Sequence, residues 1–427
     1  MSTAVDALTA RQMLAPIRND SGKVQSATPT GKIDLSNPFF ASLGTNGRSC
    51  GSCHVAEAGW TITPENMRAR FDATNGLDPV FNRLDGADSP TAPNATKAER
   101  KAASKNLLTR GTIRVGLPQT RPVPTWDIEV EIVADPRSSN VLTPTNGQVS
   151  FFRRPLPTTN LRFTAAINWD GRNTPDLTDM RPGLLNQSNG ATTGHAQGAA
   201  IDDATRAAIV DFELSLVTAQ VKHEDAGWLD QRGADGGPVP LLTLPFAIDD
   251  NSGSAFSPKV FDLFDAWARR RDSRWRRRCA ETDRERVAAG QKIFNEKKLG
   301  PNRDRTCSGC HNAPNVGSST RFAFFDVGVS AANRWNRDVP LYRVRQISNP
   351  ANVIVTTDPG RAMITGQFAD VNRFKVPGLR GLASRAPYFH DGSAKSLKDV
   401  VKHYERFFDT WLSRDEEGDL IAFLESL

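Results

Sequence analysis

Two pentapeptides concentrate the reactive side chains of this 427-residue chain: Cys50-Gly51-Ser52-Cys53-His54 and Cys307-Ser308-Gly309-Cys310-His311, both reading Cys-x-x-Cys-His. That spacing suits attachment of a c-type haem. Two thiols within one turn reach the vinyl groups on one edge of the macrocycle, and the adjoining imidazole reaches the iron. A redox dithiol would have no use for the histidine, and half of a zinc site would need further Cys or His close by. The reading is two covalently bound haem c groups, with His54 and His311 as iron ligands.

Each motif needs an element to deliver it. The pattern predicts an approach helix over 37–43 before the first and over 284–298 before the second, where Val287, Gln291, Ile293 and Phe294 recur at helical spacing and Gly300-Pro301 end the helix. An amphipathic helix is expected over 203–221 on Ala207, Val210, Leu214 and Val217. Residues 61–150 are rich in Pro, Asn, Asp and Thr, carry no Cys or His, and show one β-like stretch at 128–133, which reads as an irregular insertion. Residues 230–258 have linker composition (Gly233, Gly236, Gly237, Pro238), and a helical pattern resumes over 260–267. The expected fold is mainly α: a cytochrome c-like helical haem lobe over 1–230 with its insertion, a linker over 231–258 and a second such lobe over 259–427.

Composition narrows the function classes. An apolar fraction of 38% and a charged fraction of 24% are those of ordinary soluble proteins, and no run approaches the apolar length a membrane span needs. With five cysteines, four of them in the motifs, the chain is no disulfide-stapled module, and Cys279 is given no role. The net charge of +6 includes a cluster, Arg269–Arg271 and Arg276–Arg278 around Trp275, that reads as a solvated face before it reads as a docking patch for an acidic partner. No nucleic-acid-binding signature is present. The start, Met1 to Asp6, has neither a positive nor an apolar signal region, yet haem attachment requires export. The expected location is therefore periplasmic, with the numbering that of a processed or re-engineered chain.

Whether an iron reacts or only relays depends on its sixth position. Outside the motifs stand four histidines (His195, His223, His390, His403), three tyrosines (Tyr342, Tyr388, Tyr404) and five methionines. Two strings are informative: Trp169-Asp170-Gly171-Arg172, and the block from Phe374-Lys375-Val376-Pro377-Gly378-Leu379-Arg380 to Tyr388-Phe389-His390-Asp391-Gly392-Ser393. Together with the order of the haem motifs, they strongly resemble the bacterial dihaem cytochrome c peroxidase and MauG superfamily, over residues about 37–57, 160–220 and 285–408. The insertion lies outside the resemblance.

The resemblance implies further roles. The residue fourteen places after the histidine of the Phe-His-Asp-Gly string ligates the second haem, as Met in the peroxidases and Tyr in MauG-like members; here it is Tyr404, with His403 beside it as competitor. Trp169 matches the tryptophan that relays electrons between the haems. The releasable histidine of the peroxidases has no counterpart in 55–168, which implies an open first haem unless His195 closes it. Where the family has a proton-shuttling glutamate, this chain has Asn189, so His195 becomes the acid–base candidate, with Asp179 as a second pocket candidate. His390 is expected at a haem propionate or an inter-lobe contact. The family's inter-haem calcium uses an asparagine not found in Arg153-Arg154-Pro155-Leu156-Pro157, which argues against calcium here.

Two functions from different classes follow. In the first, hydrogen peroxide reacts at the His54 haem and the His311–Tyr404 haem shares the oxidising equivalents. Electrons then come from a small redox protein, or from Trp or Tyr of a specific protein substrate in the MauG-like case, which Tyr404 favours. In the second, the chain is a non-enzymatic electron-transfer cytochrome with both irons six-coordinate, His195, Met67 or Met180 filling the first.

Overall fold

The computed structural model describes residues 9–140, 147–268, 279–301 and 305–427. The arginine cluster around Trp275, the first six residues and the Cys279 side chain lie outside that description.

Helix accounts for 34% of the structure and strand for 15%, so the mainly helical expectation is met only in part. Two aromatic cores surround the two motifs. In the first half Phe39, Trp60 and Phe212 pack with ring centroids 4.9–6.3 Å apart, and Phe39 lies 6.4 Å from His54. In the second half Phe261, Phe294 and Phe423 do the same at 5.3–5.6 Å, and Phe294 lies 6.1 Å from His311.

The approach elements differ. Before Cys307 the helix Cys279–Glu296 runs for five turns and Gly300 leaves it at a positive φ of 83°. Before Cys50 there is only a short 3-10 turn, Pro38–Phe40, because Pro38 sits at its first position and Asn37 caps it by accepting from the Phe39 amide. The helix expected over 203–221 is Asp203–Ser215, and Val217–His223 is instead a strand. Its β-branched residues Val217, Thr218 and Val221 suit a pleated surface, and it fills the centre of a four-stranded antiparallel sheet beside Gly22–Ala27. His223 is 5% exposed at the end of this strand, with Nε2 3.5 Å from Glu425.

The insertion is ordered rather than irregular. It carries the helices Pro64–Thr74, Lys97–Ala103 and Lys105–Arg110 and the strands Ile113–Pro118, Ile128–Ala134 and Gln148–Arg153. Nor does it belong to the first half alone. Ile128–Ala134 pairs antiparallel with Leu341–Gln346, which also pairs with Val353–Thr356. Beneath these strands Ile128, Val130, Val149 and Phe151 share one core with Tyr342, Val344, Met363 and Val371. Loop-like composition concealed this because the strand's partner lies more than two hundred residues away.

The helix Cys279–Glu296 packs against the C-terminal helix Arg414–Glu425, closely enough at Gly290 that an added Cβ would overlap the Asp419 carbonyl and crowd the Phe423 Cβ. Alanine gains about 1 kcal/mol of helix propensity over glycine, whereas overpacking against a backbone costs about 1–3 kcal/mol. Gly290→Ala is therefore expected to lower stability by up to about 2 kcal/mol, read as a fall in the midpoint of thermal or urea unfolding.

Candidate functional site

The two motifs are built alike. Cys50–Ser52 forms one 3-10 turn and Cys307–Cys310 one helical turn, the latter capped by Thr306, whose Oγ1 accepts from the Gly309 amide at 3.0 Å. Ser308 donates to the Asn295 carbonyl at 2.8 Å, tying that turn to the end of its approach helix. In each half the imidazole Nδ1 bonds a backbone carbonyl six residues on: His54 to Trp60 O at 3.0 Å and His311 to Gly317 O at 2.5 Å. Both carbonyl residues have positive φ, 62° at Trp60 and 71° at Gly317, which turns each loop back over its histidine. With Nδ1 donating, Nε2 carries the lone pair and is the nitrogen free to meet a metal. Burial pushes each imidazole's affinity for a proton down, to about 4, despite the opposing carbonyl bond, so both are neutral at pH 7.

Both histidines and all four motif cysteines line one connected cavity. Trp169 lies in its wall, with Nε1–H donating to Arg154 O at 2.8 Å and its ring centroid 6.3 Å from that of His390, edge to face. His390 is 1% exposed and stacked on Phe374 at 4.0 Å, and neither ring nitrogen has a hydrogen-bond partner among the described residues. Four more cations line the cavity without a carboxylate partner among the described residues: Arg154, Arg380, Arg385 and Lys375. Burial pushes these guanidinium groups down to about 10, 9 and 10 and the ammonium down to about 8. By contrast Arg153, equally buried, is held between Asp170 and Asp358. A cavity of unpaired buried cations is complementary to an anionic ligand.

On the second motif's side Tyr404 lines the cavity with Cys307 and Cys310; burial, then the two thiols, raise its hydroxyl above the usual range. Its neighbour His403 faces elsewhere, with Nε2 donating to Val327 O at 2.7 Å and Nδ1 accepting from Arg334 at 3.0 Å. On the first side His195, at the end of the helix Arg181–Gly194, lines the cavity with its Nδ1 2.5 Å from Asp85 Oδ2. Asp179 does not join them. It is exposed in the loop before that helix, where its carboxylate accepts from the Arg181 amide at 2.9 Å, because an aspartate next to a helix start satisfies free amides better than it survives burial. Met67 and Met180 are buried in hydrophobic clusters and neither lines the cavity. Among the described residues no cluster of three or more His, Cys, Asp or Glu side chains is arranged to hold a cation.

The sequence reading passed over several cavity residues. Lys375, Arg380 and Arg385 sat in the quoted C-terminal block, so the signal was present and unread. Asp85 lay in the insertion, where composition gave no hint. Glu213 looked like one polar residue on an amphipathic helix, yet it is 4% exposed, lines the cavity beside Cys50, and its Oε2 has no partner among the described residues. Burial pushes its carboxyl up to about 8. An acid whose folded pKa is raised binds its proton more tightly when folded, so it subtracts stability as pH climbs from its unfolded value to its folded one. Glu213→Gln is expected to be more stable than the parent, by a margin that widens between pH 5 and pH 8. Paired unfolding curves at the two pH values check this.

No family model matches the chain. It is 26% identical over 303 residues to the methylamine utilization protein MauG of Methylophilus methylotrophus, covering 65% of this chain and 69% of that one. It is 27% identical over 271 residues to cytochrome c551 peroxidase of Pseudomonas aeruginosa, covering 63% and 62%. A shorter match, 34% over 122 residues, joins it to cytochrome c551 peroxidase of Nitrosomonas europaea, spanning 28% of this chain and 30% of that relative's length. Over about two thirds of its length the chain is thus similar both to a MauG protein and to a cytochrome c551 peroxidase.

Proposed function

We propose that this chain holds two covalent haem c groups, at Cys50, Cys53 and His54 and at Cys307, Cys310 and His311, and is a periplasmic oxidoreductase that uses hydrogen peroxide. The observation that carries this reading is the single cavity shared by both motifs, with Trp169 in its wall and His195 beside the first.

The residues fit that cofactor on three counts. Each iron-facing imidazole is neutral with Nδ1 tied to a carbonyl. The thiols of each pair sit within one turn. Arg154, Arg380, Arg385 and Lys375, which have no carboxylate partner among the described residues, match the carboxylates that a haem carries on the edge away from its thioethers. When bound, haem c supplies an iron able to exchange electrons with peroxide.

The chain's own residues supply the rest. His195 is the group that moves the peroxide proton, in place of the absent glutamate. Trp169, locked by its bond to Arg154 O, is among the described residues the one tryptophan lining the cavity, and it is the relay between the cavity's halves. Tyr404 is the second iron ligand on the His311 side. Burial raises its hydroxyl above the usual range, so a phenolate there would need the charge of a bound ferric iron. Tyrosine there, and the lack of histidine in 55–168, support oxidation of Trp or Tyr in a specific protein substrate over withdrawal of electrons from a small redox protein.

The resting holoprotein is expected to show one high-spin and one low-spin ferric signal by electron paramagnetic resonance, and one equivalent of hydrogen peroxide to change its absorption spectrum. A wholly low-spin protein indifferent to peroxide would instead make it an electron-transfer cytochrome. Tyr404→Phe should alter the low-spin signal alone, and Trp169→Phe should leave both resting signals in place while slowing substrate oxidation about tenfold or more.

A further inference from the structure

His195 is held in an unusual way. Its side chain is 46% exposed, yet it lines the cavity that contains His54. Its Nδ1 meets Asp85, whose side chain is only 7% exposed, and the other carboxylate oxygen, Oδ1, meets Arg48. Arg48 has nowhere else to go: Nε donates to Pro79 O at 2.7 Å, Nη2 to Val80 O at 2.9 Å and Nη1 to the His195 carbonyl at 3.2 Å. Asn46 fixes the same carbonyl at 2.8 Å, and the Arg114 amide bonds Asp85 O at 2.8 Å. Burial alone would raise the Asp85 carboxyl, but His195 and Arg48 outweigh it and hold it below the usual carboxylate range. Asp85 is thus a fixed anion gripping one nitrogen of a half-exposed imidazole. Arg48 stands two residues before Cys50, so the same ion pair anchors the attachment turn.

We propose that Asp85, clamped by Arg48, is a positioning residue that keeps His195 in its Nδ1–H form, so that Nε2 is the base of the His54 half and exchanges protons between solvent and cavity. The proposal rests on the peroxidase reading above. In chemical terms, His195 Nε2 takes one proton from hydrogen peroxide while Nδ1–H stays on Asp85. The imidazolium, balanced by the Asp85 carboxylate, returns that proton to the departing oxygen as the O–O bond breaks. That oxygen leaves as water, and the other becomes a second water on taking two protons from solvent and two electrons from the redox protein or from oxidisable side chains of the protein substrate.

The test uses the diferric holoprotein and two probes: hydrogen peroxide, and cyanide, which arrives as hydrogen cyanide and binds ferric iron as the anion, so that its entry also needs a base. Asp85→Asn and His195→Gln are each expected to slow both reactions about tenfold or more, with the high-spin ferric signal unchanged. The double variant should be no slower than His195→Gln alone, because Asp85 acts only through His195. Asp85→Glu, which restores the anion, should recover part of the rate. Where Asp85→Asn does not fold, His195→Gln and Asp85→Glu decide by themselves. Unchanged rates in His195→Gln, additive losses in the double variant, or a low-spin to high-spin change on removing His195 each overturn the proposal. A parent protein that ignores peroxide sinks the peroxidase reading itself; a reactive parent with an unaffected Asp85→Asn sinks only the positioning role.

Discussion

One hydrogen bond in each half, from an imidazole Nδ1 to a carbonyl six residues on, sets the geometry that the rest of the molecule must meet. It decides which nitrogen is left for a metal, and it works only because Trp60 and Gly317 adopt positive φ and turn their carbonyls inward. Gly317 suits that conformation. Trp60 does not, and its strain is held by complete burial and by its indole N–H, which donates to Ser26 Oγ at 2.8 Å. The four-stranded sheet that carries Ser26 therefore supports the first histidine.

The cavity shows a second constraint. Its lining includes Arg154, Arg380 and Arg385, which have no carboxylate partner among the described residues. Isolated cations are costly to bury, and a fold that retains several of them beside the carefully neutralised Arg153 has left them for something anionic. The same economy of charge explains the two carboxyls that face the first motif. Asp85 stays ionised because the Arg48 guanidinium and the His195 Nδ1–H hold it, whereas Glu213, with neither, keeps its proton.

Legibility in the sequence followed the range of the interactions involved. Cys-x-x-Cys-His is a local requirement, as are the Gly300 break and the capped turn at Thr306, and each could be read within a few residues. The strand Val217–His223 was mistaken for a helix continuation because its periodicity over a few residues suits either element, and only its pairing with Gly22–Ala27 decides. Asp179 and Asp85 show the same limit in a site. Ten places from Trp169 suggested a pocket for the first, which a helix start claimed, while the second reached His195 across 110 residues of sequence that composition had marked as loop. Residues in the resemblance blocks were within reach, and those in the insertion were not.

The strand Ile128–Ala134 finds its partner at Leu341–Gln346, and that pairing has a temporal side. A chain made from its N-terminus exposes Ile128, Val130 and Ile132 as an unpaired β-edge until some two hundred further residues exist. Contacts of such long range fold late, and an open apolar edge is where misassembly begins. The alternating Glu129 and Glu131, which come to face Arg345 and Arg343 across the finished sheet, meanwhile keep that edge negatively charged. The same carboxylates that register the completed sheet act as gatekeepers for the nascent one.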